Sequence, residues 1–226
     1  MQYGTRQWTD VATRSPTKGY LQQGCFAGRE GCRCARASER VCGCRCEADW
    51  VAALAQVAEH GPLYGLVNNA AIYQPQPLVD TTADAFDRHV QINLRGSFLG
   101  PKYGAQAMIA AGGGVIVNIS STAGLRASGG SFAYSATKWG LRGMTLSAAA
   151  SLAEHGIRVN AVYPGPIDTD MLKVRTAQQL AERVQRVPLK RMGTVGDVAG
   201  MVLFLLSDES AYMTGAEITV DGGVTL

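Results

Sequence analysis

The sequence lacks a long apolar run and a strong excess of charge of one sign. The longest apolar stretch near its end, residues 202–206, is far too short to span a bilayer. The net charge is only +3 for 226 residues, so neither a nucleic-acid partner nor membrane association is predicted. The first residues carry no apolar signal region, and a cytoplasmic location is therefore expected by default.

Histidine is scarce, and cysteine is confined to one end of the chain. We expect surface positions for His60, His89 and His155, which are scattered, and no metal site among them. All six cysteines precede residue 47: Cys25, Cys32, Cys34, Cys42, Cys44 and Cys46. Residues 1–46 hold eight basic and three acidic residues, whereas residues 47–226 hold thirteen basic and fifteen acidic ones. An atypical segment rich in Cys, Arg and Gly, which we expect to be poorly structured, thus precedes a core of different composition.

The core, residues 47–226, shows a regular alternation of helix and strand patterns. Apolar periodicity predicts helices over 50–57 and 131–155, and another after the capping pattern Thr194-x-x-Asp197. A longer helical region from Thr82 to Ala111 is expected to turn six residues inward: Phe86, Val90, Ile92, Leu94, Phe98 and Leu99. Four buried strands are predicted: Leu63–Val67, Val115–Ile119, Ile157–Tyr163 and Glu217–Val220. This alternation predicts a doubly wound α/β fold with a mainly parallel sheet.

One stretch, from Ser121 to Lys138, concentrates reactive side chains. Ser121 follows the strand that ends at Ile119, and Tyr134 and Lys138 lie one turn apart on the next helix. Hydroxyl, phenol and ammonium groups can therefore converge at the carboxyl edge of the sheet, where open α/β folds bind ligands. A Tyr-x3-Lys pair alone arises by chance, but a serine at this upstream spacing makes a chance match rare.

These three residue types suit acid/base chemistry at neutral pH. A phenol titrates near pH ~10, so such a role needs its pKa lowered by about three units, or roughly 4 kcal/mol. One ammonium about 4 Å away supplies about 4 kcal/mol at an effective dielectric constant of ~20. We therefore expect Lys138 to lower the pKa of Tyr134, while Ser121 holds a substrate oxygen by a hydrogen bond.

Four further motifs accompany this stretch: Asn68-Asn-Ala-Ala71, Asn93-Leu-Arg-Gly96, Pro164-Gly-Pro-Ile-Asp-Thr169 and Thr214-Gly-Ala with Asp221-Gly-Gly223. In their order and spacing, residues 47–226 resemble the short-chain dehydrogenase/reductase family. They look most similar to bacterial members that act on hydroxysteroids and alicyclic secondary alcohols. The resemblance implies a Rossmann-like fold, an NAD or NADP cofactor, and a homo-oligomer, either a tetramer or a dimer.

The resemblance also implies a role for each motif. Tyr134 would be the acid/base, Lys138 would lower its pKa and hold the ribose, and Ser121 would orient the carbonyl. Asn93, at a helix kink, would anchor a water that relays protons. The implied cofactor contacts are Asn68, Ala70, Tyr134, Lys138, Pro164, Gly165, Ile167 and Thr169. For Thr169, the alternative to a cofactor contact is a role as a helix cap only. Residues 170–192 would form a mobile, apolar lid over the substrate.

Residues 1–46 do not fit the resemblance. They show neither helix nor strand periodicity where the family has its first βαβ unit, so that unit is predicted to be missing or degraded. Gly24-x3-Gly28-x2-Gly31 has one residue too many for the family's glycine turn, and no predicted strand precedes it; we interpret it as chance. A reading-frame error explains the segment most simply. A thiolate metal module and a disulfide cluster are the alternatives.

The sequence therefore predicts an NAD- or NADP-dependent enzyme that interconverts a small-molecule secondary alcohol and a ketone. The choice of cofactor stays open, because the residues that decide it follow the second strand in an unreadable region. Because residues 1–46 offer no convincing strand, glycine turn and helix N-terminus, we expect the chain as written to bind NAD(H) or NADP(H) poorly. The alternative is an impaired relative that lacks a proper dinucleotide site and acts only as a structural or interaction subunit. A frame-shifted product is part of that alternative.

Overall fold

A computed structural model of the chain describes residues 19–23, 40–42, 46–172 and 174–226, the first two ranges by their backbone alone. Its strands are β1 (Gly19–Gln23), β2 (Arg40–Cys42), β3 (Leu63–Asn68), β4 (Gly114–Ile119), β5 (Ile157–Pro164) and β6 (Glu217–Val220). All pairs are parallel, in the order β2-β1-β3-β4-β5-β6. The strand order reverses between β1 and β3. Open α/β sheets bind ligands outside the carboxyl ends of strands at such a switch point.

Helices cover both faces of this sheet. They are α1 (Glu47–Ala58), α2 (Ala83–His89), α3 (Gly96–Ala110), α4 (Phe132–Leu152), α5 (Ala177–Gln185) and α6 (Val195–Leu206). A π-helical segment, Val90–Arg95, joins α2 to α3. One apolar core lies between the sheet and α1, α3 and α4, and a second lies between its other face and α6. The predicted doubly wound α/β fold is confirmed.

Strand β4 shows how one short stretch serves both cores. Val115 and Val117 pack in the core beneath α6, whereas Ile116 between them packs in the core on the opposite face. Side chains of a strand alternate between its faces, so a strand covered on both sides has a continuous apolar sequence. Each such buried side chain contributes roughly 1.5–3 kcal/mol.

The first two strands contradict the expectation that residues 1–46 contain no strand. β1 pairs in parallel with β3, with Leu21 opposite Leu66, and β2 extends the sheet beyond β1. Pairing of β1 with β3, and of β2 with β1, places these short strands, although their own sequences show no periodicity. β1 ends directly before Gly24, so the objection that no strand precedes the glycine pattern is wrong. The glycine pattern itself lies outside the described residues.

Two predictions about burial are also wrong. Phe98 is 49% exposed, because it points about 100° away from Leu99 on the helix and only Leu99 reaches the core. His89, expected at the surface, is fully buried. Its Nδ1 donates to the carbonyl oxygen of Ala85 at 2.7 Å, and its Nε2 accepts from the N–H of Gln74 at 3.3 Å. Two hydrogen bonds thus compensate for burying the ring.

In the part of the chain that the structure describes, no helix is long and apolar enough to cross a membrane. The same residues contain no group of three or more His, Cys, Asp or Glu placed to hold a metal ion. The cysteine side chains, apart from that of Cys46, which is exposed, lie outside the described part. The thiolate and disulfide alternatives for residues 1–46 therefore stay predictions.

Candidate active site

Most of the predicted site residues line one cleft at the carboxyl edge of the sheet. The cleft has a volume of about 380 Å³ and is bordered by the ends of β3, β4 and β5 and by the first turns of α4. The predicted residues that line it are Ala70, Ser121, Tyr134, Lys138, Pro164, Gly165, Ile167 and Thr169. The structure thus brings the serine, tyrosine and lysine together with the segments expected to contact a cofactor.

Ser121 is held by a tight turn immediately after β4. Its Oγ accepts a hydrogen bond from the N–H of Ala123 at 3.2 Å and so caps the 3₁₀ turn Thr122–Gly124. Gly124 lets this turn pack directly on α4, because a Cβ there would lie 2.8 Å from the carbonyl oxygen of Lys138. A larger residue would push the turn away from the helix. Glycine at this position therefore keeps Ser121 beside the side chains of α4.

Tyr134 lies in the first turn of α4, and its side chain is almost completely buried. Burial raises the pKa of Tyr134 to about 12, although hydrogen bonding with Ser121 and the positive charge of Arg183 both act to lower it. The ring of Tyr73 packs against Tyr134 at right angles, with the ring centroids 5.0 Å apart. The phenol is therefore protonated at neutral pH and can donate a hydrogen bond into the cleft.

Lys138 does not lower the pKa of Tyr134 in the way that its spacing predicts. Its Nζ donates to the carbonyl oxygen of Ile119 at 2.8 Å and lies 5.6 Å from the centroid of the Tyr134 ring. Burial lowers the pKa of Lys138 itself to about 8, because a buried ammonium loses its hydration. Burial thus dominates both groups, and the cation that acts on the phenol is Arg183.

Asn93 lies in the π-helical segment, where the sequence predicts a kink. Its buried Oδ1 accepts from the N–H of Ile72 at 2.8 Å, and its Nδ2 donates to the carbonyl oxygen of Ile72 at 2.9 Å. The same Nδ2 donates to Oγ1 of Thr137 at 3.3 Å. Asn93 therefore does not line the cleft but ties the loop after β3 to the helix that carries Tyr134 and Lys138. A proton-relay role for its surroundings stays a prediction.

Asn93→Ala should lower the free energy of unfolding by about 2–4 kcal/mol, because the partly buried N–H and carbonyl oxygen of Ile72 would lose their partners. Gln91→Ala removes an exposed side chain from the same segment and should change that free energy by less than about 0.5 kcal/mol. Urea denaturation of both variants measures the difference. Equal stabilities would show that the Asn93 hydrogen bonds do not hold the loop.

Asn68 is buried beneath the cleft rather than lining it. Its Nδ2 donates to Oδ1 of Asn118 at 2.7 Å and to the carbonyl oxygen of Ser97 at 3.3 Å. Asn118 in turn donates to Oγ1 of Thr145 at 2.9 Å, so the network joins β3, β4 and α4. The neighbouring Asn69 lines the cleft instead. Asn68 thus positions the strand ends, and its side chain does not reach the place predicted for a cofactor contact.

The segment after β5 forms another wall of the cleft. Gly165 is required by close packing, because a Cβ there would lie 2.7 Å from the Cα of Asp221. Ile167 pairs with Gly193 in a short parallel bridge, which fixes the backbone of the loop. Thr169 Oγ1 donates to the carbonyl oxygen of Ile167 at 3.4 Å. Ile167 and Thr169 are thereby held against the cleft, and their contact with a cofactor stays a prediction.

Two residues of the cleft, Tyr73 and Arg183, were not found from the sequence. Tyr73 lies two residues after the Asn-Asn-Ala-Ala motif but has no periodic signal of its own. Arg183 belongs to α5, within the predicted lid, and lies three residues after the apolar Leu180, on the same helix face. A charged residue on the apolar side of a lid helix is the signal that would have revealed it.

The chain matches known proteins over most of its length. A family model described as enoyl-(acyl carrier protein) reductase matches residues 30–225. The trans-4-hydroxycyclohexanecarboxylate dehydrogenase of Sinomonas cyclohexanicum is 42% identical over 177 residues, 78% of this chain and 66% of that protein. A 3-alpha-(or 20-beta)-hydroxysteroid dehydrogenase of Mycobacterium tuberculosis is 40% identical over 177 residues, with the same two shares. The chain thus spans 66% of the length of each of these two relatives.

The solved structures agree with the curated relatives. The crystal structure of a gluconate 5-dehydrogenase from Burkholderia cenocepacia, in complex with NADP and tartrate, superposes with a TM-score of 0.78. Its sequence is 33% identical, and the match covers 83% of this chain and 74% of that one. These likenesses confirm the resemblance inferred from the motifs, and nothing in them supports a purely structural role. The chain belongs to the short-chain dehydrogenase/reductase family of oxidoreductases.

Proposed function

We propose that this chain is an NAD- or NADP-dependent oxidoreductase that interconverts a secondary alcohol and a ketone. The observation that carries the proposal is the convergence of Ser121, Tyr134 and Lys138 in one cleft at the carboxyl edge of the sheet. The relatives add support, since they include dehydrogenases named for a hydroxycyclohexanecarboxylate and for hydroxysteroids. The carboxylate substrate in the first of these names is therefore the first compound to test on this chain.

The donor set of the cleft fits the nicotinamide end of such a cofactor. An ammonium has three N–H donors, and Lys138 donates one to Ile119, which leaves two for the hydroxyls of a ribose. Thr169 and the backbone near Ile167 would hold the carboxamide from the facing wall. The cofactor, when bound, supplies or accepts the hydride. Ser121 and Tyr134 then act on the substrate oxygen.

Ser121 and Tyr134 would share the work on that oxygen. The Oγ of Ser121 accepts from the N–H of Ala123 and hydrogen-bonds with Tyr134; its own proton would turn to the substrate oxygen when a substrate binds. The protonated phenol of Tyr134 donates a second hydrogen bond and passes its proton to the oxygen as a ketone is reduced. In the reverse direction the phenolate removes the alcohol proton. Because burial raises the pKa of Tyr134, little phenolate is present at neutral pH. The phenolate fraction, and with it the rate of alcohol oxidation, should rise with pH.

Residues 47–226 would form the catalytic core, with residues 170–192 as a lid over the substrate. We also propose a homo-oligomer, a tetramer or a dimer. Large apolar side chains on α3 and α4 are exposed and could pack against another copy: Phe98, Ile109, Trp139 and Leu146.

Nucleotide titration of the full chain tests the proposed function. The sequence alone predicts poor nucleotide binding, but β1 pairs with β3 and ends directly before the glycine pattern. We therefore expect NADH or NADPH to bind at micromolar concentration, and oxidation of cyclic secondary alcohols to follow with the preferred nucleotide. Binding without turnover of any secondary alcohol or ketone would contradict the proposed reaction. A folded chain that binds neither nucleotide would instead favour the alternative, a structural or interaction subunit.

A further inference from the structure

An arginine from the lid helix α5 faces the cleft without an acidic partner. Arg183 lines the cleft and is about half-buried. Burial is the largest effect on the pKa of its guanidinium and lowers it. The next largest are the charges of four groups: Tyr73, Arg175, Tyr134 and Arg186. None of these four groups is a carboxyl group. Asp170 also lines the cleft but is exposed, and it is not among the groups with the largest effects on the pKa of Arg183.

A second arginine stands behind the first. Arg175 Nη2 donates to the hydroxyl of Tyr73, and its guanidinium carbon lies 5.5 Å from the centroid of the Tyr73 ring. The Nε of Arg175 is buried and has no hydrogen-bond partner. Tyr73 in turn packs edge-on against Tyr134. We call Tyr73, Arg175 and Arg183 the arginine wall; it adjoins the phenol that would handle the substrate proton.

Without a bound anion, the arginine wall is electrostatically unfavourable for the folded protein. Two guanidinium groups that are held near each other and partly withdrawn from water repel each other, and each loses hydration. A carboxylate relieves both effects, since its two oxygens match the planar fork of a guanidinium. Apolar side chains that line the same cleft offer a surface for a hydrocarbon ring or chain: Met171, Leu172, Val195 and Val198.

We infer that the cleft takes a hydroxy acid and the corresponding keto acid, with the substrate carboxylate bound by Arg183 and the reacting oxygen bound by Ser121 and Tyr134. The inference rests on the proposed function and names its substrate class. Arg183 is the residue that touches the carboxylate. Arg175 is a positioning residue, because it holds Tyr73 and does not itself line the cleft.

The test compares a charged probe with an uncharged one of the same shape. The probes are trans-4-hydroxycyclohexanecarboxylate, named for a relative's activity, and its carboxamide. Titration calorimetry on the full chain, with and without nucleotide, gives the affinity of each. Arg183→Gln is the test variant. Arg186→Gln removes the same charge from an exposed position at the end of the same helix and is the matched control.

We expect the parent chain to bind the acid at least about 10-fold more tightly than the amide. Arg183→Gln should weaken binding of the acid by about 10- to 100-fold and leave the amide unchanged, because only the acid forms the charged hydrogen bond. Arg186→Gln should change binding of the acid by less than about 3-fold, because the exposed charge of Arg186 has the smallest of these effects on Arg183. Equal or undetectable binding of the two probes by the parent would overturn the inference, as would equal loss of both in Arg183→Gln.

Turnover separates this inference from the proposed function. Selective binding of the acid without oxidation by either nucleotide would contradict the proposed reaction and leave the carboxylate site standing. Oxidation of uncharged cyclic alcohols, with no preference for the acid, would support the reaction and contradict the carboxylate site.

Discussion

Tyr134→Phe is expected to lower alcohol oxidation and ketone reduction by about 100-fold or more while leaving the protein folded. Phenylalanine keeps the buried ring and its edge-on packing against Tyr73, but it removes the only group of this residue that can exchange a proton with the substrate. The loss of the hydrogen bond with Ser121 should cost only about 1 kcal/mol of stability. Catalysis and folding are therefore affected to very different extents.

The values of kcat/KM in both directions, together with a thermal unfolding curve, measure these two effects. Tyr212→Phe is a suitable control, because Tyr212 is completely exposed and has no predicted role in the site. That control should retain the activity of the parent. A Tyr134→Phe variant with more than about a tenth of parent turnover would refute the assignment of Tyr134 as the acid/base.

Between pH ~8 and ~10.5, Lys138 should raise the free energy of unfolding of the parent by about 3 kcal/mol, and Lys138→Met should lack this rise. Burial lowers the pKa of Lys138 from 10.5 to about 8 in the folded protein. The unfolded chain therefore binds more protons than the folded chain in this window, and the lysine makes the parent gain stability as pH rises. Below pH ~8 the buried ammonium lowers the free energy of unfolding of the parent by its full amount, whereas the variant has no ammonium at this position.

Chemical denaturation at a series of pH values measures this prediction. The free energy of unfolding of the parent minus that of Lys138→Met should increase from pH ~8 to ~10.5. Tyr134 loses its proton more readily in the unfolded chain above pH ~10, but this contribution cancels because both proteins keep Tyr134. Lys102→Met serves as the control: the pKa of Lys102 is raised, by its contact with Tyr103 first of all, so its difference should not increase over this window. A flat difference for Lys138→Met would refute the account of a buried ammonium.

Local patterns predicted the parts of the fold that depend on short-range interactions. The capping box formed by Thr194 and Asp197 opens α6 as the sequence indicates, and the β-branched run of β4 forms a strand buried on both faces. The spacing of Ser121, Tyr134 and Lys138 sufficed to place them in one cleft, because a strand end and one helix turn fix their relative positions.

The parts that sequence reasoning missed depend on contacts between distant segments. β1 forms by pairing with β3, and β2 forms by pairing with β1, whereas the short sequences of these two strands show no period. Burial of the phenol raises its pKa, and no count of residues between Tyr134 and Lys138 reveals how deeply the phenol lies. Asn69 faces the cleft and Asn68 does not, and this difference depends on the residue at which β3 ends.

The most direct measurement of the central claim is the transfer of deuterium from the carbinol carbon of a secondary alcohol to the nicotinamide nucleotide. The full chain would be incubated with NAD⁺ or NADP⁺ and a panel of carbinol-deuterated cyclic alcohols, with and without a carboxylate. Mass spectrometry would then report whether the reduced nucleotide carries the label. We predict label in the nucleotide with the parent chain, and at least about 100-fold less in the same time with Tyr134→Phe. Absence of label from every alcohol with the folded parent chain would contradict the account.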